Sequence, residues 1–460
     1  MNKNNIRNLV LCRSVLVLGL TVSATTLAAV TPEQAEQLKS TLTPMGAERA
    51  GNADGSIPAW TGGYTQVPDG FKSGYRDVDP FAADKPLYRI TLANLEQYRD
   101  KLSEGTIQLL EDNPDTFYID VYPTRRTAAA PEYVYQNTFK NATHAHLEND
   151  GLTVKDAFGG VPFPLPQSGL EVHWNHLTLW RGLATETKYK VWTTTAEGRH
   201  ILSTAAVDYG QYPYYYPEGS AETVPDPKYM MAIQLAYAPA FRAGEALMVH
   251  NVLDHVKGRT LWQYLVGQRR VREAPSINFD TPNVVASGTA FVDESFGGVG
   301  SPERYDWQLM GKRELIIPYN SNALLANKDE TVMSKRHIKP EYLRWELHRV
   351  WEVVATLKPG SRHAVPKRKY YYDEDNWGTA IMEGWDAEGT LWRTSFTTPF
   401  AAPDIPATVN FCTGFFHNHR TKAWVYNCSL GDVAGDQYAI TERRSESYFS
   451  PRSLLRMSGR

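Results

Sequence analysis

Apolar and polar positions alternate along much of the chain beyond residue 183. Leu347, Arg349, Trp351, Val353, Ala355 and Leu357 share a two-residue period, which places one set of side chains on one face of a long strand. Lys358-Pro359-Gly360 turns that strand back. The same reading predicts strands over Lys188 to Thr195, His200 to Val207, Met230 to Ala238, Ala246 to Leu253 and Thr260 to Val266. Lys367 to Tyr372, Trp377 to Trp385 and Thr390 to Thr397 follow, joined by the acidic turns at Asp373 to Asn376 and Asp386 to Gly389. Strands this close in sequence pair as hairpins, so the sheet is antiparallel.

Helical spacing dominates before Gly182. Thr31-Pro32-Glu33-Gln34 carries a Thr cap, a Pro at the first position and Gln three after the cap, and opens a short helix to about Leu42. Leu92, Leu95, Tyr98 and Leu102 fall on one helical face. Pro131 opens another helix, to about Glu148. Ser168-Gly169-Leu170-Glu171 reads as a capping box, followed by Leu170, Trp174, Leu177 and Arg181 at helical spacing. Residues 43–80 are an extended arm whose Trp60, Tyr64, Phe71 and Tyr75 are placed to dock on the body. The expected class is α+β, with an arm and helical region over 30–182 and an antiparallel β-rich domain over 183–460.

Residues 1–29 read as a secretory signal peptide. Lys3, Arg7 and Arg13 precede an uncharged, mostly apolar run from Val15 to Leu27, and Ala28 and Ala29 are small. The run is shorter than the roughly 20 apolar residues that span a bilayer. Cys12 lies before the run and follows Leu11, which excludes it as a lipid-attachment site. Export to the periplasm leaves Cys412 and Cys428 in an oxidising compartment. Folding the segment about Arg420 sets these two cysteines opposite each other in a hairpin, within disulfide reach.

Composition narrows the function classes. Of 460 residues, 48 are basic and 51 acidic, for a formal net charge of −3. That balance offers no electrostatic footprint for nucleic acid. Aromatics reach 12%, with 26 Tyr and 12 Trp, against 22% charged residues, which favours an aromatic-lined β-rich protein. No phosphate-cradling loop, dinucleotide fingerprint or nucleophile elbow is present, and no cofactor or metal is expected.

The remaining constellations are weak. His173 and His176 stand three apart on a helix, with His144 and His146 as the partners a metal would need. His417-Asn418-His419 reads as a polar hairpin tip. Asp373, Glu374 and Asp375 fall in a turn, where acidic residues are common. Arg125, Arg126, Arg269 and Arg270 are candidates for gripping an anionic head group. Trp262, Tyr264, Phe291 and Trp351 either fill a core or line a cavity for an apolar ligand, and periodicity does not choose between the two.

Leu42-Thr43-Pro44-Met45-Gly46-Ala47-Glu48-Arg49-Ala50-Gly51-Asn52 and Ile57 to Gly63 resemble the opening of a large exported proteobacterial family, domain-of-unknown-function family 1329. Tyr122 to Pro131, Gly159 to Pro166 and Trp174-Asn175-His176-Leu177 carry the same resemblance. Thr260 to Leu265, with Arg269 to Arg272, is similar to a strand of LolA-like lipoprotein-sorting carriers, as are the hairpins around Tyr371 to Trp377 and Trp385 to Trp392. The resemblance implies a LolA-like incomplete antiparallel β-barrel with packed helices and an α-helical N-terminal extension. It implies a periplasmic carrier of a hydrophobic or lipid-like molecule, not an enzyme. Its partners would be a resistance-nodulation-division exporter and an outer-membrane protein. An exported hydrolase and a non-catalytic scaffold of an export complex are the alternatives.

Overall fold

The computed structural model describes residues 30–76, 78–224, 227–275 and 277–458. The signal-peptide reading of 1–29 lies outside the described residues.

Sixteen strands form one sheet. In chain order they are β1 Tyr88–Ile90, β2 Ile119–Tyr122, β3 Ala184–Thr194, β4 His200–Gln211, β5 Lys228–Ala238, β6 Ala246–Val252, β7 Thr260–Leu265 and β8 Arg270–Glu273. The second half holds β9 Tyr305–Pro318, β10 Trp345–Leu357, β11 Lys367–Asp373, β12 Thr379–Trp385, β13 Leu391–Thr397, β14 Gly414–Asn418, β15 Trp424–Ser429 and β16 Tyr438–Ile440. The order across the sheet is β1-β2-β10-β11-β12-β13-β14-β15-β3-β4-β5-β6-β7-β8, with β9 against β10 and β16 against β3. The ends do not pair, so the sheet is open. Every pairing is antiparallel except the short contact of β2 with β10 at Val121–Trp345 and Tyr122–Glu346. The β9 ladder runs the full length of β10, so β2 and β11 share the opposite side of that strand.

Four helices of at least eight residues are described: α1 Glu104–Asp112, α2 Glu132–His144, α3 Gly169–Leu177 and α4 Pro451–Ser458. The expected helix from Pro131 stops four residues earlier than read, and His146–Glu148 forms a small hairpin strand instead. Thr31 and Gln34 do form a capping box, but the α-helix covers only Pro32–Ala35 before tightening to a 3₁₀ turn. The Leu92 face folds as two short 3₁₀ segments.

Strand β9, 14 residues long, is the main element the pattern reading missed. A bulge between Leu309 and Gly311 inserts one residue and reverses which face each later side chain takes. A single two-residue period cannot be read through it.

Residues on both sides of position 182 share one apolar core. Leu109, Val134 and Trp174 cluster with Val350, Tyr372 and Phe415. The arm is sewn to this body: the Trp60 indole donates to the Ala128 carbonyl at 2.9 Å, and Arg76 pairs with Asp404. A second cluster forms where α4 covers the far face of β5 to β8. Cys412 and Cys428 are disulfide-bonded with Cα atoms 5.5 Å apart. They are not directly opposed as expected, because the ladder pairs Gly414 with Asn427. Cys428 takes a left-handed conformation (φ 47°), which brings it within reach of Cys412.

Candidate functional site

Strand parity divides β5, β6 and β7 into two apolar faces. Met231, Ile233, Ala246, Met248 and Tyr264 pack under α4. The alternate residues, Met230, Ala232, Leu247, Val249 and Leu261, line a cavity of about 120 Å³ on the other face. That is roughly ten times the space a single buried water needs. A segment of irregular backbone over 277–299 closes the cavity, contributing Ile277, Val284, Val285, Val292, Phe296 and Val299. A larger cleft of about 500 Å³ near Tyr216 is lined by Lys228, Arg444 and Glu446. Its charges are already matched, Lys228 with Glu446 and Arg444 with Glu186, which favours the apolar cavity as the site.

Two acidic residues fasten the closing segment to the sheet. Arg368 of β11 donates to both oxygens of Asp293, at 2.8 and 2.9 Å, and the His363 ring lies 2.9 Å from Asp293 Oδ2. Arg393 of β13 makes the same forked contact with Glu294. Burial alone would raise the Asp293 pKa, but Arg368 and His363 hold it well below the usual carboxylate range. The Thr204 hydroxyl donates to the Val285 carbonyl at 3.0 Å, and Arg259 donates to the Ile277 carbonyl at 2.6 Å. The segment is thus pinned along its length, with apolar side chains turned inward.

The four aromatic residues expected to line one cavity do not come together. Trp262 and Tyr264 lie on the α4 face, opposite the cavity. The β7 residue that lines the cavity is Leu261, while Trp262 and Tyr264 take the other face. Phe291 sits at the edge of the closing segment against His363 and Trp392, under the Arg393 guanidinium. Trp351 stacks on Trp377 with ring centroids 6.2 Å apart and carries Lys312 over its face.

The arginine pairs are also separated, at opposite ends of the strand order. Arg126 is buried and forks onto Asp375 at 2.9 and 2.6 Å, so it is not available to a head group. Arg125 forks onto Asp84. Arg269 is exposed in the β7–β8 turn, and Arg270 is exposed at the start of β8. The acidic turn is buried. Asp373, Glu374 and Asp375 are at most 4% exposed and meet His348, Lys312, Arg349 and Arg126. Among the described residues, His348, Asp373 and Asp375 form the one group of three side chains spaced to hold a metal ion.

His173 and His176 are both buried among Trp307, Tyr370 and Tyr372, and His173 Nδ1 lies 2.8 Å from the Tyr372 hydroxyl. Burial lowers both histidines' pKa, His176 to about 3, so the imidazoles stay neutral. His144 and His146 are not with them: His144 bonds its own helix, and His146 faces Glu148 and Asp156. His417 is buried on β14 and stacks on Trp424, so it is not at the hairpin tip. From the closing segment sequence reasoning named only Phe291, and it passed over Arg259. Leu247, Val249 and Leu261 were the available signal, since β6 and β7 are apolar on both faces.

The profile of the family described as "Protein of unknown function (DUF1329)" matches residues 89–455. The chain is 41% identical over 386 residues to the uncharacterized protein PA3922 of Pseudomonas aeruginosa, covering 82% of this chain and 84% of that one. A crystal structure of a DUF1329 family protein from Desulfovibrio piger aligns with a TM-score of 0.40 and 13% identity, covering 62% of this chain and 97% of that one. The LolA superfamily protein NE2245 from Nitrosomonas europaea aligns with a TM-score of 0.35 and 11% identity, covering 62% and 98%. No helix among the described residues is long and apolar enough to cross a membrane.

Proposed function

On the premise that the chain belongs to the DUF1329 family, we propose that it is a periplasmic, non-catalytic carrier of a hydrophobic or lipid-like molecule. The observation behind this reading is the apolar cavity of about 120 Å³ between β5–β7 and the closing segment. Burying an alkyl chain there gains about 0.8 kcal/mol per CH₂. A cavity of that kind holds a molecule by burial and needs no reacting group. The leader-like residues 1–29 support export, and the disulfide suits an oxidising compartment. An exporter and an outer-membrane protein are the partners this reading implies.

Displacement of N-phenyl-1-naphthylamine by long-chain lipids tests the proposal. Saturable binding is expected in the wild type. It is lost in Ala232→Trp, which fills the cavity, and kept in Trp262→Ala, which alters only the α4 face. Loss in Trp262→Ala with retention in Ala232→Trp would move the site to the other face. Native mass spectrometry of protein taken from its host envelope gives a second readout that needs no variant: a co-purified lipid is expected. N-terminal sequencing of the same material checks export, and an intact Met1 would end that part of the reading.

A further inference from the structure

The cavity is mostly apolar, with Gln234, Asn251 and Asn283 among its polar lining residues, and its one charged lining residue is Arg259, on the turn leading into β7. Its guanidinium donates one bond to the Ile277 carbonyl and forms no ion pair with a carboxylate among the described residues. The acidic residue whose field reaches it, Asp293, is already committed to Arg368 and His363. Arg259 is partly buried, and its positive charge has no carboxylate partner of its own at the cavity wall among the described residues. Burial accordingly lowers its pKa. Tyr229 does not line the cavity but lies within the field of Arg259. The Tyr229 hydroxyl is buried, has no hydrogen-bond partner, and feels both the Arg259 and the Arg181 charges. Arg181 itself is 6% exposed, and its Nε and Nη1 atoms lack partners. Buried donors without acceptors are rare.

We propose that the carried molecule is an anionic amphiphile whose carboxylate or phosphate is held by Arg259 while its chain lies between β5–β7 and the closing segment. The inference rests on the carrier reading and names the ligand class for the same cavity. A planar guanidinium forks onto either oxyanion. A neutral lipid would leave the charge of Arg259 uncompensated, and a cationic one would be repelled.

The test compares palmitate, hexadecyl phosphate, hexadecanol and hexadecyltrimethylammonium on the full chain by competitive displacement. The two anions are expected to bind at least tenfold more tightly than the alcohol, and the cation least. The ratio of palmitate to hexadecyl phosphate tells a carboxylate source from a phosphate one. Arg259→Gln is expected to bring the anions down to the level of the alcohol, and Arg259→Lys to restore part of the preference. Equal binding of anions and alcohol by the wild type overturns this inference and leaves the carrier reading standing. Failure of all four to bind overturns the carrier reading itself. The wild-type comparison needs no folded variant.

Discussion

Asp293 and Arg368 form a forked ion pair in which both guanidinium nitrogens donate to the carboxylate, at 2.8 and 2.9 Å. The two residues lie 75 positions apart, and their pairing holds the closing segment against β11. Removing one partner strands a buried charge, which costs about 3–5 kcal/mol. Asp293→Asn should therefore lower stability by that order and raise amide exchange across 277–299 before the rest of the sheet. The folded-state pKa of Asp293 is depressed, so its contribution is present above the usual Asp value of about 3.9 and lost as pH falls below it. Exchange in that segment that matches the wild type would show that the pair does not secure it.

Arg126 and Arg269 have the same charge and opposite fates. Arg126 bonds Asp375 and the Glu48 carbonyl, tying the arm to the acidic turn. Arg126→Ala should destabilise by about 3–5 kcal/mol and open the arm to limited proteolysis within 43–63. Arg269→Ala, at an exposed turn, should change stability by no more than about 0.5 kcal/mol. Urea denaturation of both variants decides this; similar costs would refute the assignment.

Glu383 is buried on β12, and burial raises its pKa to about 7 despite the backbone donor of Gly105. A carboxyl with a raised folded pKa binds more protons folded than unfolded between about pH 4.5 and 7. Stability then falls across that window as pH rises, by up to about 1.4 kcal/mol per unit for one group. Glu383→Gln should flatten that slope and gain on the wild type at pH 7.5 relative to pH 5. An unchanged slope in urea titrations at the two pH values would contradict the assignment.

The disulfide closes a loop with a sequence separation of 16. In the chain-entropy model this is worth roughly 3 kcal/mol. Cys412→Ser with Cys428→Ser should lower the melting temperature, and reductant should affect the wild type but not the double variant. Two reactive thiols in the denatured, unreduced protein would refute the bond.

The hairpins β11–β12 and β12–β13, the strand β10, the cap at Ser168 and the bonded cysteines are all legible in the amino-acid sequence. Each depends on residues close together in the chain: a two-residue alternation, a turn signal, a cap three positions from its donor. The family is legible too, from long contiguous motifs. What local pattern leaves open is decided by contacts between residues far apart in sequence. Alternation in Thr260 to Leu265 shows that the strand has two faces but not that α4, nearly 200 residues later, covers the one carrying Trp262 and Tyr264. The bulge at Leu309 to Gly311 hides β9 by shifting its phase midway. Nothing local in the sequence pairs Arg126 with Asp375, because a charge stays in water until an opposite charge replaces it. Here that partner comes from 249 residues away. The cavity belongs wholly to this second kind of information: its floor is three strands, its roof an irregular segment without periodicity, and only their docking leaves Arg259 facing an apolar space.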